Sequence, residues 1–351
     1  MLLVTPGIAT SAGHDKVMTL ARRALGAEAP LQLARPEASW SSALGWGALD
    51  AGKLGLARLA SARGPGALLT RAMEAGSLKA RGSGGLSRTL TAPYRAELFA
   101  RAAGGAREVL VSSHYLALSD RPPGWPAVLL GPDLLVQPAV SGIEAPRRAL
   151  APSRWYAEGL EACGFDPASI VSGLLVPEAV ARAAELRRGG GGGDGVLLTI
   201  GGSAPEATAA VEVARAWSEA GAELTALVGD GRPHCRRLRK ALEPSVHRVV
   251  GGGPADTRAT ELAAFVELLA RPELGTWLTR PNEGAMLGLA LGFEVVLLPP
   301  YQPHEKAAAE RLRDLGLAEA GTRRPTGRPG TRPEMGRLLS EEEGKALISA
   351  P

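Results

Sequence analysis

"TWLTRPNEGAMLGLALGFEVVLLPPYQPHEKAAAERL", residues 276 to 312, decides the fold class of this chain. It reads as a strand, a tight turn, a helix of small residues, a second strand, and a polar loop opening a second helix. Strands alternating with helices predict a parallel sheet with helices packed on its faces. Two features need a cause. The first helix carries Gly284, Gly288 and Gly292, although an interior glycine costs about 1 kcal/mol relative to alanine. The turn before it is Arg280, Pro281, Asn282 and Glu283, with Asn282 suited to cap the helix. The expectation is that the glycines allow close packing and let the backbone at 282 to 285 approach a ligand.

The same alternation extends backwards. "GVLLTIGGSA" predicts a strand, "PEATAAVEVARAWSEAG" a helix, and "AELTALVG" a strand. "DGRPHCRRLRKALE" reads as a helix, "VHRVVGG" as a strand, "ATELAAFVELLARP" as a helix and "GTWLTR" as a strand. "RRGGGGGDG", residues 187 to 195, reads as a flexible linker in the middle of the chain. Earlier, "MLLVTPGIA", "EVLVSSH" and "WPAVLLGPD" predict buried strands. "HDKVMTLARRALG" and "SRWYAEGLEACG" predict helices. The expected organisation is a first domain over 1–186, the linker, a second domain over 196–320 and an Arg/Pro/Gly-rich tail over 321–351. That tail reads as a mobile segment with one short helix near its end.

Composition narrows the class. The chain has 351 residues, 45% hydrophobic, 22% charged and 4% aromatic, which suits two soluble globular domains. The formal charge is +4 and the pI about 9.3. A mildly basic balance is compatible with an anionic ligand or membrane surface. No aromatic residues accompany the tail arginines, so a nucleic-acid partner is not expected. Cys163 and Cys235 lack metal spacing, so neither a zinc site nor a disulfide framework is expected, and a cytoplasmic setting follows. The N-terminus lacks the basic and apolar regions of a signal peptide. No apolar run reaches the length of a spanning helix.

Several turns place polar groups where chemistry is feasible. "TIGGSAPE", residues 199 to 206, puts Gly201, Gly202 and Ser203 between a strand and a helix. Bare backbone there suits an anion at the helix N-terminus, or else is an ordinary capped turn. "TSAGHDK", residues 10 to 16, repeats the arrangement with Gly13 and His14. His14 is a candidate base, with Asp15 either a competitor or a partner of the helix dipole. His114 in "SSHY" and Asp133 in "LLGPDLL" end strands, either lining a cleft or merely terminating them. Gln302, His304 and Glu305 open the last helix, as readers of ligand hydroxyls or as a solvated helix start.

Taken in order, these segments resemble a glycosyltransferase of the B fold. The nearest resemblance is to monogalactosyldiacylglycerol synthases, processive diacylglycerol glucosyltransferases and the lipid-linked N-acetylglucosaminyltransferase of peptidoglycan synthesis. "SAGHDKVMTLARRAL" resembles the family's first loop and helix. "RRALAPSRWYAEGLEACGFDPASIVSGLLV" resembles the segment leading to the interdomain linker, and 276 to 312 resembles the donor-binding core. The resemblance covers most of 1–320, with 40–105 matching only vaguely.

It implies two Rossmann-like parallel-sheet domains facing across a cleft, with turns 11–14, 201–203 and 281–285 on that cleft. A nucleotide-sugar, usually a UDP-sugar, would be the donor substrate, with inversion at the anomeric carbon. The donor would be held by Gly201, Gly202, Ser203, Asn282, Glu283, Gly284, Ala285, Gln302 and Glu305. His14 would be the base, Asp133 the second choice, with Gly13 and His114 on the acceptor side. No metal or other cofactor is required, since helix dipoles and amides can stabilise the leaving diphosphate. A lipid acceptor implies a peripheral position on the inner face of the membrane. The stretch 42–75 would suit that surface, and equally suits a core-facing helix pair.

Two departures matter. The family's Pro-Gly-Gly turn is Pro281-Asn282-Glu283 here. Its ribose-holding glutamate falls on Leu287, so either Glu283 substitutes from one turn earlier or the function is lost. An inactive binding protein and a nucleotide-sugar epimerase are the alternative readings.

Overall fold

The computed structural model describes residues 2–5, 12–27, 31–32, 109–114, 118, 121, 124–136, 140, 146, 148–200, 204–231, 233–300, 303–321 and 334–349. Stretch 42–75 lies outside them. The chain forms two compact units, Met1–Pro177 with Glu334–Pro351, and Glu178–Pro333.

The first unit is a parallel sheet of seven strands. In chain order these are β1 (Leu2–Thr5), β2 (Leu31–Gln32), β3 (Leu110–Ser112), β4 (Ala127–Leu130), β5 (Arg148–Ala151) and β6 (Ile170–Leu175), completed late in the chain by β13 (Arg337–Leu339). They lie in the order β13-β6-β5-β4-β3-β1-β2. Helices α1 (Ala12–Ala24) and α2 (Arg154–Ala162) pack on it. β3 and β4 are buried at every position, as strands covered on both faces must be. Val17, Met18, Leu20 and Ala21 of α1 recur at helical spacing and are all buried. Ser153 caps α2 by accepting from Tyr156 N at 3.1 Å.

The second unit is a parallel sheet of six strands. It runs through α3 (Glu178–Leu186), β7 (Gly195–Thr199), α4 (Ala204–Glu219), β8 (Leu224–Leu227), α5 (Pro233–Leu242) and β9 (Arg248–Val250). It continues with α6 (Arg258–Leu269), β10 (Leu274–Thr279), α7 (Glu283–Ala290), β11 (Glu294–Leu297), α8 (Pro303–Asp314) and β12 (Glu319–Ala320). The strand order is β12-β11-β10-β7-β8-β9. Both units are therefore doubly wound, Rossmann-like α/β sheets, as the alternating pattern predicts.

Two segments differ from their reading in the sequence. The glycine run lies within the second unit. Gly193 N and Gly195 N donate to Pro272 O and Glu273 O, each at 3.0 Å. A side chain at Gly193 would overlap the Glu273 backbone, so these glycines serve close packing. Beside them Arg187 is buried. It donates to Leu274 O and Leu269 O at 2.8 Å and to Arg271 O at 2.7 Å, and lies 3.8 Å over the Phe293 ring. Burial pushes its guanidinium down to about 10, against the opposing pull of Glu273, so it stays cationic at neutral pH.

The chain end also departs from a mobile tail. Residues 322–333 fall outside the described set, but β13 pairs with β6, and α9 (Glu341–Ser349) follows. Arg154 N donates to Glu334 O at 2.8 Å and Gly336 N to Pro152 O at 2.9 Å. Leu339 and Ile348 enter the core of the first unit.

Candidate functional site

Open α/β sheets bind ligands beyond the carboxyl ends of their strands, where the strand order reverses. In the first unit β1 leads to β2 on one side and β3 lies on the other, so the reversal falls between β1 and β3. His14 occupies the first turn of α1 beside this point. Its Nδ1 lies 2.8 Å from the carbonyl oxygen of Ser113 and 3.3 Å from Ser113 Oγ. A carbonyl only accepts, so Nδ1 carries a proton and donates, which in the neutral ring puts the lone pair on Nε2. Ser113 Oγ in turn donates to His14 O at 3.3 Å. The His114 ring lies against that of His14, with centroids 4.6 Å apart and tilted by 57°. His114 is buried and its backbone N–H donates to Ser112 Oγ at 3.1 Å. Gly13 is buried too. His14, His114 and Gly13 thus converge, with Ser113 as the member that sequence reasoning missed.

Asp133 follows β4, one strand further from the reversal, and is half-buried. It lies near the buried Tyr156, whose phenol is pushed well above its ordinary value, first by burial and then by the Asp133 charge. Gly131 makes the room, since a side chain there would come 2.9 Å from Tyr156 Cε1.

In the second unit the order reverses between β7 and β10. Thr199 and Thr279 end those strands, both buried, and Thr199 Oγ1 donates to Thr279 Oγ1 at 3.3 Å. Trp277 Nε1 donates to Thr199 Oγ1 at 2.9 Å. No sequence signal marked this chain of hydrogen bonds, because its members lie 78 and 80 positions apart.

Past β10, Asn282 caps α7, its Oδ1 accepting from Gly284 N at 3.1 Å. Glu283 is half-buried, and Gly284 and Ala285 are buried. The glycines of α7 have structural causes. A side chain at Gly284 would overlap Thr279 Oγ1. One at Gly288 would come 2.8 Å from Val295 Cγ2 and 3.1 Å from Trp277 Cε3. Gly292 ends the helix with φ +76°, where glycine is favoured. The close packing expected of these glycines is seen: Gly284 and Gly288 let the buried run 284–290 lie tightly on β10 and β11, and Gly292 closes the helix. Leu287 is fully buried.

Glu305, in the first turn of α8, is also fully buried and forms an ion pair with Arg280. Arg280 was not among the sequence candidates. Gly201, Gly202, Ser203 and Gln302 lie outside the described residues. Among the described residues no group of three or more His, Cys, Asp or Glu is arranged to hold a metal. No helix among them is long and apolar enough to cross a membrane.

No family model and no curated protein matches the chain. Among solved structures it is similar to Os79 from O. sativa in complex with UDP, at 16% identity over 99% of this chain and 90% of that one, TM-score 0.45. It is similar to UDP-GlcNAc 2-epimerase from Neisseria meningitidis bound to UDP-GlcNAc, at 12% identity over 67% and 77%, TM-score 0.42. A third similarity is to LpCGTa in complex with UDP, at 14% identity over 76% and 73%, TM-score 0.38.

Proposed function

We propose that this chain is a glycosyltransferase of the B fold, moving a sugar from a nucleotide-sugar, a UDP-sugar first, to an acceptor hydroxyl with inversion. The observation that carries the reading is His14. It sits at the strand-order reversal of the first sheet, with Nδ1–H held by the Ser113 carbonyl. An imidazole so fixed presents Nε2 as a general base. In the proposed reaction Nε2 takes the acceptor proton as the hydroxyl oxygen attacks the anomeric carbon. The bond to the diphosphate oxygen breaks, and the nucleotide leaves with that electron pair. The second unit would hold the nucleotide beyond β7 and β10, where Asn282, Glu283 and the start of α7 meet a diphosphate and ribose. The resemblance of the segments at 11–25 and 276–312 supports the same assignment. A lipid acceptor, and with it a peripheral place on a membrane, belongs to the proposal on that resemblance alone.

A second reading, a binding protein that no longer turns over, is favoured by one observation. Leu287 stands fully buried where the family keeps its ribose carboxylate. Thermal-shift screening of the full chain against UDP-, GDP- and TDP-sugars tests the shared core of both readings. A ligand at 100 times its dissociation constant raises stability by about 2.7 kcal/mol, an easily read upward shift in Tm. No shift with any of them overturns both.

A further inference from the structure

We infer that Arg280 is the anion-recognising side chain of the second unit, and that Glu305 is its built-in counter-ion, a positioning residue that does not itself touch ligand. The inference rests on the nucleotide-sugar reading for the identity of the anion, a diphosphate.

Three observations carry it. The two side chains form an ion pair, yet they are not equally enclosed: Glu305 is 0% exposed and Arg280 13%. The less enclosed side chain of the two is the cation's. Arg280 is also the residue immediately after β10, the strand that bounds the reversal of the sheet, so it stands where ligands of such sheets bind. And a buried ion pair is a poor means of stabilising a fold, because desolvating both charges offsets most of their attraction. A hydrophobic pair would serve packing between β10 and α8 as well. Keeping a charged pair at the carboxyl edge fits a cation held in one orientation for an incoming anion.

The geometry also changes what Glu305 does. A carboxylate reading sugar hydroxyls must present its oxygens to the ligand. Here the carboxylate is fully buried and its Oε1 is taken by Arg280. Glu305 fixes the guanidinium, while its negative charge moderates the attraction that Arg280 exerts. The two residues therefore act on anion affinity with opposite sign. A purely structural pair has no such asymmetry, since breaking it from either side only loosens the fold.

The experiment is isothermal titration of the full chain with UDP, uridine and inorganic pyrophosphate, in wild type, Arg280→Gln, Arg280→Lys and Glu305→Gln. Glutamine at 305 still offers an oxygen to the guanidinium but removes the charge. Expected is a loss of UDP and pyrophosphate affinity of about tenfold or more in Arg280→Gln, the worth of one charge-assisted hydrogen bond. Arg280→Lys recovers part of it, uridine affinity is unchanged throughout, and Glu305→Gln binds pyrophosphate more tightly than wild type. Thermal denaturation identifies any variant that fails to fold, and Arg280→Lys with Glu305→Gln then decides the sign. Equal affinities across the variants, or a fall in both Arg280→Gln and Glu305→Gln, overturn the inference while UDP binding by wild type leaves the proposed function standing. Wild type that binds uridine and UDP equally, or neither, overturns the inference as well, and binding neither counts against the proposed function too.

Discussion

His14 is fixed by its neighbours in a way that sets its chemistry. Its Nδ1 partner is a main-chain oxygen, so Ser113→Ala removes the two 3.3 Å hydroxyl contacts, to Nδ1 and to His14 O, and keeps the shorter one at 2.8 Å. Turnover in Ser113→Ala should therefore change far less than in His14→Ala, and steady-state kinetics of nucleotide release compares the two. Glu283 is the other residue whose role can be tested alone. If it holds a ribose in place of the buried Leu287, Glu283→Gln weakens two charge-assisted hydrogen bonds, each worth roughly 1.5 to 3 kcal/mol. UDP affinity should fall at least tenfold by titration. Tighter binding instead would mean that the carboxylate repels the diphosphate. His14, His114 and Asp133 were legible as candidates, because each stands where an apolar run stops or a glycine-bearing turn begins. Ser113 and Arg280 were not. Their significance lies in partners 99 and 25 positions away, which no local pattern encodes.

α7 and the glycine run show how a small residue can be legible in the sequence while its packing partner is not. The sequence marks Gly284 as a helical glycine with a reason to be there. The reason is Thr279, across a strand–helix turn. Gly284→Ala gains about 1 kcal/mol of helix propensity but forces an overlap that costs typically 1–3 kcal/mol, so a net loss in urea unfolding is expected. Adding Thr279→Ala should restore part of it, a non-additivity of at least about 0.5 kcal/mol. Arg187 makes the same point about the glycine run. A five-glycine stretch looks like free chain by composition, yet its preceding arginine closes the end of α6 by donating to Leu269 O, Arg271 O and Leu274 O. Arg187→Leu leaves Leu269 O and Leu274 O, buried, and Arg271 O, partly buried, without that donor, at about 1–3 kcal/mol for each buried group left unsatisfied. Chemical denaturation should show a loss of at least about 3 kcal/mol. An effect below 1 kcal/mol would mean that water reaches the carbonyls.

The two sheets are the most legible feature of the chain. Runs such as "VLL" in β7 and "AVLL" in β4 are apolar throughout, and both belong to parallel sheets that bury them. Short edge strands were not legible: β2 and β12 have two residues each and β13 three, too few to show a period. β13 also explains why the chain end was misread. Arginine, proline and glycine at 321–336 suggest a tail, whereas the three residues that pair with β6 carry the structural information. The doubly wound order follows from crossover connections, and it places one strand reversal in each unit, with His14 at the first and Thr199, Thr279 and Arg280 at the second. The central claim is that His14 is the base of a sugar transfer from a nucleotide donor. It is tested most directly by nucleotide release from UDP-sugars by the full chain, measured for wild type and His14→Ala at saturating donor beside their UDP affinities. The account predicts release by wild type, a fall of about 10²- to 10⁴-fold in His14→Ala, and UDP affinity nearly unchanged between them. Equal release by both proteins, or UDP binding with no release from any UDP-sugar, would contradict it.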